Sequence, residues 1–161
     1  MLLFVVAIIA QSTSSSSSQP EVKPPGPVFD TVADDALAAM TRRAEELKIT
    51  GVAVVAFIKG DTTRAWSSKM VVVGTMTNPS TAANRGNNLL AIAYTKAAEM
   101  AETLKDSGHA GRPPMTGETG WEGGLIRKTA NGYVLAAFSG GPSADDLKAS
   151  QAGLDVLLGT K

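Results

Sequence analysis

The sequence predicts a single α+β domain, a mainly antiparallel sheet with helices packed against it. Three observations predict this class. Apolar residues recur at three and four positions in three separate segments, which is the spacing of helices with one buried face. Short β-branched runs lie between those segments. Turn-forming residues join neighbouring runs over distances too short for a crossover helix, so the strands pair as hairpins.

The first helix is expected from about Val32 to Lys48, with Leu37, Met40, Ala44 and Leu47 on its apolar stripe and Arg42, Arg43, Glu45 and Glu46 off it. Thr31 and Asp34 have the spacing of a capping box at its start. Gly51 to Ile58 (GVAVVAFI) is too short and too β-branched for another helix, and Lys59-Gly60-Asp61 turns it into a return strand carrying Ala65 and Trp66. Met70 to Val73 either extends that strand or forms a new one. Asn78 to Asn88 (NPSTAANRGNN) reads as a loop.

A second helix places Leu89, Ala93, Lys96, Ala97, Met100 and Leu104 on one face and is expected to stop at Asp106-Ser107-Gly108, with Gly108 as the left-handed cap. His109 to Glu122 has paired prolines, three glycines and no periodicity, and long loops of this kind are usually functional or disordered. Gly124–Thr129 and Tyr133–Ser139 flank Ala130-Asn131-Gly132, a strong hairpin signal. Ser143 and Asp146 suggest a second capping box, opening a last helix with Leu147, Leu154, Leu157 and Leu158 on its apolar side.

The chain has 161 residues, no net charge and scattered basic residues, so no electrostatic footprint for nucleic acid is present. There is no cysteine, which removes disulfides, thiol catalysis and thiolate metal sites, and leaves stability to packing. Leu2 to Ala10 is uniformly apolar and is followed at once by serines, the layout of a signal-peptide h-region, although a basic segment before it is missing. Nine residues are too few to span a bilayer, and a buried first strand is the alternative. Residues 11–28 read as a Ser/Pro-rich disordered tether, and 29–161 as the folded domain.

Few motifs for chemistry are present. One histidine excludes a multi-histidine metal site, and neither a G-x-S-x-G elbow nor a Walker loop occurs. Gly140-Gly141 before the last helix offers backbone N–H groups to an anion, although most helix starts bind nothing. His109 is a candidate ligand for haem iron, against the plainer reading of a solvated histidine near a helix end. Met70, Met100, Met115, Tyr94 and Tyr133 have ligand chemistry too, but methionines at helical spacing usually fill cores. Lys96 interrupts an apolar stripe, so it must either snorkel to water, the commoner outcome, or pair with an acid beside a pocket.

The last third carries a resemblance. Glu122-Gly123-Gly124, a strand, Asn131-Gly132, a strand ending Phe138-Ser139-Gly140-Gly141, then Ser143-Ala144-Asp145-Asp146 and an alanine-leucine helix resemble the GlcG/HbpS family of haem-binding proteins. Ala93-Tyr94-Thr95-Lys96-Ala97 is similar to that family's A-x-x-K-A helix, and Lys69-Met70 falls where members often have Arg-Met. The chain departs from the pattern at Ala56-Phe57, where an acidic residue is common, and at Leu125-Ile126, where a proline is common. The stretch from Val71 to Asn88 is also longer than usual.

The resemblance implies a profilin-like or roadblock-like, GlcG-like fold and an exported, secreted or periplasmic haem- or iron-binding protein that senses or sequesters its ligand. It implies a homo-oligomer, some members acting with a partner such as a sensor or transporter at the cell surface. The ligand is expected between the second helix and the loop from His109 to Glu122. His109 is the candidate axial ligand and metal-binding residue, and Lys96 or Lys69 the propionate partner. Glu122, Gly123 and Gly124 complete the set, the glycines for close backbone approach. Two rivals stand beside this reading: a cofactor-free interaction module, which the missing acidic position favours, and an enzyme acting on a tetrapyrrole or small acid.

Overall fold

Residues 27–160 are described by the structure, a computed structural model. The apolar run at 2–10 and the tether as far as residue 26 lie outside the described residues. The elements follow in the order α1 (Pro27–Leu47), β1 (Gly51–Lys59), β2 (Trp66–Val73), β3 (Thr77–Asn78), β4 (Asn87–Asn88), α2 (Leu89–Thr103), β5 (Gly124–Thr129), β6 (Gly132–Ser139) and α3 (Ser143–Leu158). Four strands form one antiparallel sheet in the order β2-β1-β6-β5, and β3 and β4 pair as a separate two-stranded ladder.

The expected α+β class is therefore what the chain adopts, in three layers. Side chains of β1 alternate: Ala53, Val55 and Phe57 face α1 and α3, while Val52, Val54, Ala56 and Ile58 face α2. A central strand covered on both faces needs apolar residues at every position, which explains the unbroken run in GVAVVAFI. Strand β6 repeats the arrangement, with Ala136 and Phe138 on the α1/α3 side and Leu135 and Ala137 on the α2 side. Each fully buried Leu or Phe here contributes roughly 1.5–3 kcal/mol of apolar burial. Among the described residues no helix is long and apolar enough to cross a membrane.

Five local readings are corrected. Helix α1 includes Pro27 and Val28, assigned to the tether, and starts five residues before Val32. Phe29 continues its apolar stripe and packs on Phe57 with ring centroids 6.1 Å apart, so the helix gains from those extra turns. Thr31 thus lies inside the helix rather than at its cap, and Asp34 turns to Lys69.

Helix α2 ends at Thr103, with Leu104 and not Gly108 as its left-handed residue (φ 54°). Leu104 packs against the α2-side core, which holds the strained turn in place. The segment 78–88 is ordered by the β3–β4 pairing and supplies the α2 cap, where Asn88 Oδ1 accepts from Ala91 N–H at 3.0 Å. At α3 the cap is Pro142, which has no N–H, so the Asp146 carboxylate reaches one residue further back to Gly141 N–H at 2.9 Å.

Candidate functional site

Two adjoining sites sit beside β5 and the open end of the β5–β6 ladder, where Lys96 of α2 reaches Asp146 of α3. The first is built on Lys96. Its position in the α2 stripe carries its stem along the sheet, and the ammonium passes the end of the β5–β6 ladder to reach the opposite layer. There Nζ donates to Phe138 O at 2.8 Å and to Asp146 Oδ2 of α3 at 2.8 Å. Both side chains are almost wholly buried, at 2% and 4% exposure.

Burial pushes the Asp146 carboxyl above its usual range, and outweighs the opposing pull of Lys96 and of the Gly141 and Gly140 N–H groups. Gly123 makes room for the pair, since a Cβ there would overlap Lys96 Nζ. The Gly123 carbonyl is held by Ser150 Oγ at 2.6 Å and by Phe138 N–H at 3.0 Å. A cleft of about 130 Å³ opens onto Lys96 and Asp146, bordered by Asn78, Trp121, Glu122 and Gly140.

The second site lies along the outer edge of β5. Asp106 Oδ1 accepts from Ile126 N–H at 2.9 Å and from Arg127 at 2.6 Å, while Ser107 exchanges bonds with Gly124, so this edge strand is covered by the chain leaving α2. That covering positions His109. Its Nδ1 is 3.2 Å from Ser107 O, and a carbonyl only accepts, so Nδ1 carries the proton in the neutral ring and Nε2 carries the lone pair. Nε2 is 3.9 Å from Glu122 Oε1, with both side chains about half exposed or more. His109 lines an open groove of about 350 Å³ with Leu104, Lys105, Asp106, Ile126 and Arg127.

The loop that follows is tied by Arg112, which bonds Glu102 at 2.6 Å and Glu118 at 2.7 Å. The Arg112 hydrogen bonds hold the Glu118 carboxyl well below the usual range, at about 2. A carboxyl depressed from 4.5 to about 2 adds stability above its unfolded value and loses it as pH falls through the folded one. Loop 109–122 should therefore become sensitive to protease between pH 4 and pH 2 in wild type. In Glu118→Gln it should already be sensitive at pH 6; equal cleavage of the two proteins at pH 6 would contradict the assignment.

The structure brings Lys96 and Gly123 together at the buried pair and places Glu122 between that cleft and His109. Gly124 begins β5, where a Cβ would press on Met100 and Ser107. Lys69 lies elsewhere, on the α1 side of the sheet, where it bonds both Asp34 carboxylate oxygens at 3.0 Å and Asp30 O at 2.9 Å. Lys96 pairs with an acid and does not snorkel. Sequence reading missed Asp146 as its partner, having assigned it to a cap, and missed Lys105 and Arg127. The missed signal for those two is position: each lies within a few residues of a strand edge or helix end that converges on His109.

No protein-family model and no curated protein matches the chain. Solved structures do. The chain is similar to a double mutant of HbpS from Streptomyces reticuli, with 18% identity and a TM-score of 0.55, over 95% of this chain and 98% of that one. It is also similar to protein ORFY of Klebsiella pneumoniae, of the family DUF336, with 15% identity and a TM-score of 0.50, over 80% and 88% of the two chains. At such identities the likeness speaks for the fold, and it agrees with the sequence motifs of the last third: this chain has the GlcG/HbpS-like fold.

Proposed function

We propose that this is an exported haem- or iron-binding protein of the GlcG/HbpS type that holds haem in the groove beside His109. One observation carries the reading: an imidazole with its Nδ1 engaged by a carbonyl, and so its Nε2 lone pair available, stands in a groove with apolar Leu104 and Ile126 and cationic Lys105 and Arg127. Haem held there would supply an iron that the imidazole of His109 could ligate. Leu104 and Ile126 would cover part of the porphyrin, and Lys105 and Arg127 would pair with its propionates. The groove reaches the size range of small-molecule sites, roughly 300–1,000 Å³, whereas the Lys96 cleft falls below it. Lys96 and Lys69 hold acidic partners and do not line this groove, whereas Lys105 and Arg127 do; of these two Arg127 also holds Asp106, which makes Lys105 the first propionate ligand.

Titration of the purified protein with hemin is expected to give a shifted Soret band, with affinity reduced at least about tenfold in His109→Ala, about 1.4 kcal/mol. Lys105→Glu with Arg127→Glu should weaken binding while leaving the band position unchanged. Absence of any shift in wild type sinks the haem reading, and an unchanged titration in His109→Ala removes the axial-ligand role. Export rests on the apolar run Leu2–Ala10, and N-terminal sequencing of the protein from its native host tests it. The rival reading, an assembly module that meets copies of itself or a cell-surface partner without a cofactor, draws on exposed Val72, Met76, Met115 and Trp121. A colourless oligomer that ignores hemin would decide for it.

A further inference from the structure

We propose that the cavity beneath loop 109–122 binds a monovalent cation of ammonium or potassium size through Glu99, a site separate from the His109 groove. Glu99 projects from α2 and is 1% exposed. Its Oε1 accepts from Gly108 N–H at 2.8 Å, but its Oε2, equally buried, has no hydrogen-bond partner among the described residues. Glu99 lines a cavity of about 150 Å³ whose other walls are Gly108, Ala110, Arg112, Pro114 and Gly120.

The need of this oxygen is specific. Of the other lining residues only Arg112 has a side-chain donor, and that guanidinium is committed to Glu102 at 2.6 Å and Glu118 at 2.7 Å. Lys105 Nζ turns to the nearby Ala110 carbonyl at 3.4 Å, so neither cation at this loop reaches Glu99 Oε2. A buried carboxyl oxygen left without a partner costs on the order of 1–3 kcal/mol. A water would answer Oε2 by a hydrogen bond alone, whereas a cation answers it by direct contact and by charge. Among the described residues no group of three or more His, Cys, Asp or Glu could hold a metal ion. A lone carboxylate oxygen facing a cavity walled largely by small residues suits instead a large, weakly hydrated monovalent ion or an N–H donor.

Thermal melting of the full-length protein tests this in ammonium, potassium, lithium and tetramethylammonium chloride at matched ionic strength. At about ten times its dissociation constant the bound cation should raise Tm by roughly 3–6 °C and saturate, and the salt that does so identifies the ion. Tetramethylammonium should be inert because its methyl groups hold the charge away from Oε2 and it has no N–H to donate, and Glu99→Gln should lose the response. If Glu99→Gln does not fold, wild-type crystals grown in thallium(I) acetate should show an anomalous peak at coordinating distance from Glu99 Oε2. Equal melting in all four salts, a response retained in Glu99→Gln, or water alone at Oε2 in those crystals would overturn the proposal.

Discussion

Replacing Asp146 with leucine should destabilise the domain by about 3–5 kcal/mol, whereas replacing Asp146 and Lys96 together, with leucine and methionine, should leave stability within about 1 kcal/mol of wild type or above it. The single change strands an ammonium at 2% exposure with only the Phe138 carbonyl beside it. The double change removes both desolvation costs and fills the space with apolar atoms. Lys96→Met alone should cost less than Asp146→Leu alone, because the stranded group is then a carboxyl that burial already pushes up, and it can neutralise itself by taking a proton.

The sign of the pH dependence follows. With its folded value raised above 3.8, Asp146 binds more protons in the native than in the unfolded state across that window, so its contribution to stability falls as pH rises. The deficit of Lys96→Met should accordingly shrink between pH 7 and pH 4.5, while that of Asp146→Leu should not. Urea denaturation of the four proteins at both pH values measures all of this. A double variant as unstable as the worse single one would show that the pair's neighbours, not its charges, set the cost.

Much of the architecture was legible in the sequence because it follows from local rules. The β1 run is apolar at every position since two layers cover it, and Asn131-Gly132 closes its hairpin through backbone chemistry that needs no distant partner. What escaped reading depends on distant contacts. Leu104 takes a backbone conformation that glycine would adopt more readily, because its side chain is held in the α2-side core. Asp146 has the spacing of a capping residue and half fulfils that role at Gly141, but its second oxygen answers a lysine 50 residues earlier in the chain. Lys96 stands out in the sequence as a charge inside an apolar stripe, but which of its two solutions the fold takes depends on α3 lying beside β6. His109, Lys105 and Arg127 meet only because Asp106 and Ser107 fold the chain back along β5.

Gly123→Ala should be the most damaging single-methyl change near the site, at about 3–5 kcal/mol. Two independent penalties meet there. Its φ of +131° lies where side chains are strained, a cost of roughly 1–3 kcal/mol. The added carbon would also overlap Lys96 Nζ and lie 2.9 Å from Asp146 Cβ and 3.1 Å from Phe138 O, so the ammonium must leave the position in which it bonds both partners. Part of the second penalty belongs to the lysine, and that part can be separated from the rest. In the background of Lys96→Met with Asp146→Leu, Gly123→Ala should keep the backbone strain and the contacts with the Cβ at position 146 and with Phe138 O but lose the clash with the ammonium, giving a coupling of about 1 kcal/mol or more in the cycle. Denaturation midpoints of the four proteins decide it. Should the full cost persist without the lysine, Gly123 is required for its backbone angle and its close approach to Phe138 and α3, and the ion pair is built around a turn that would exist without it.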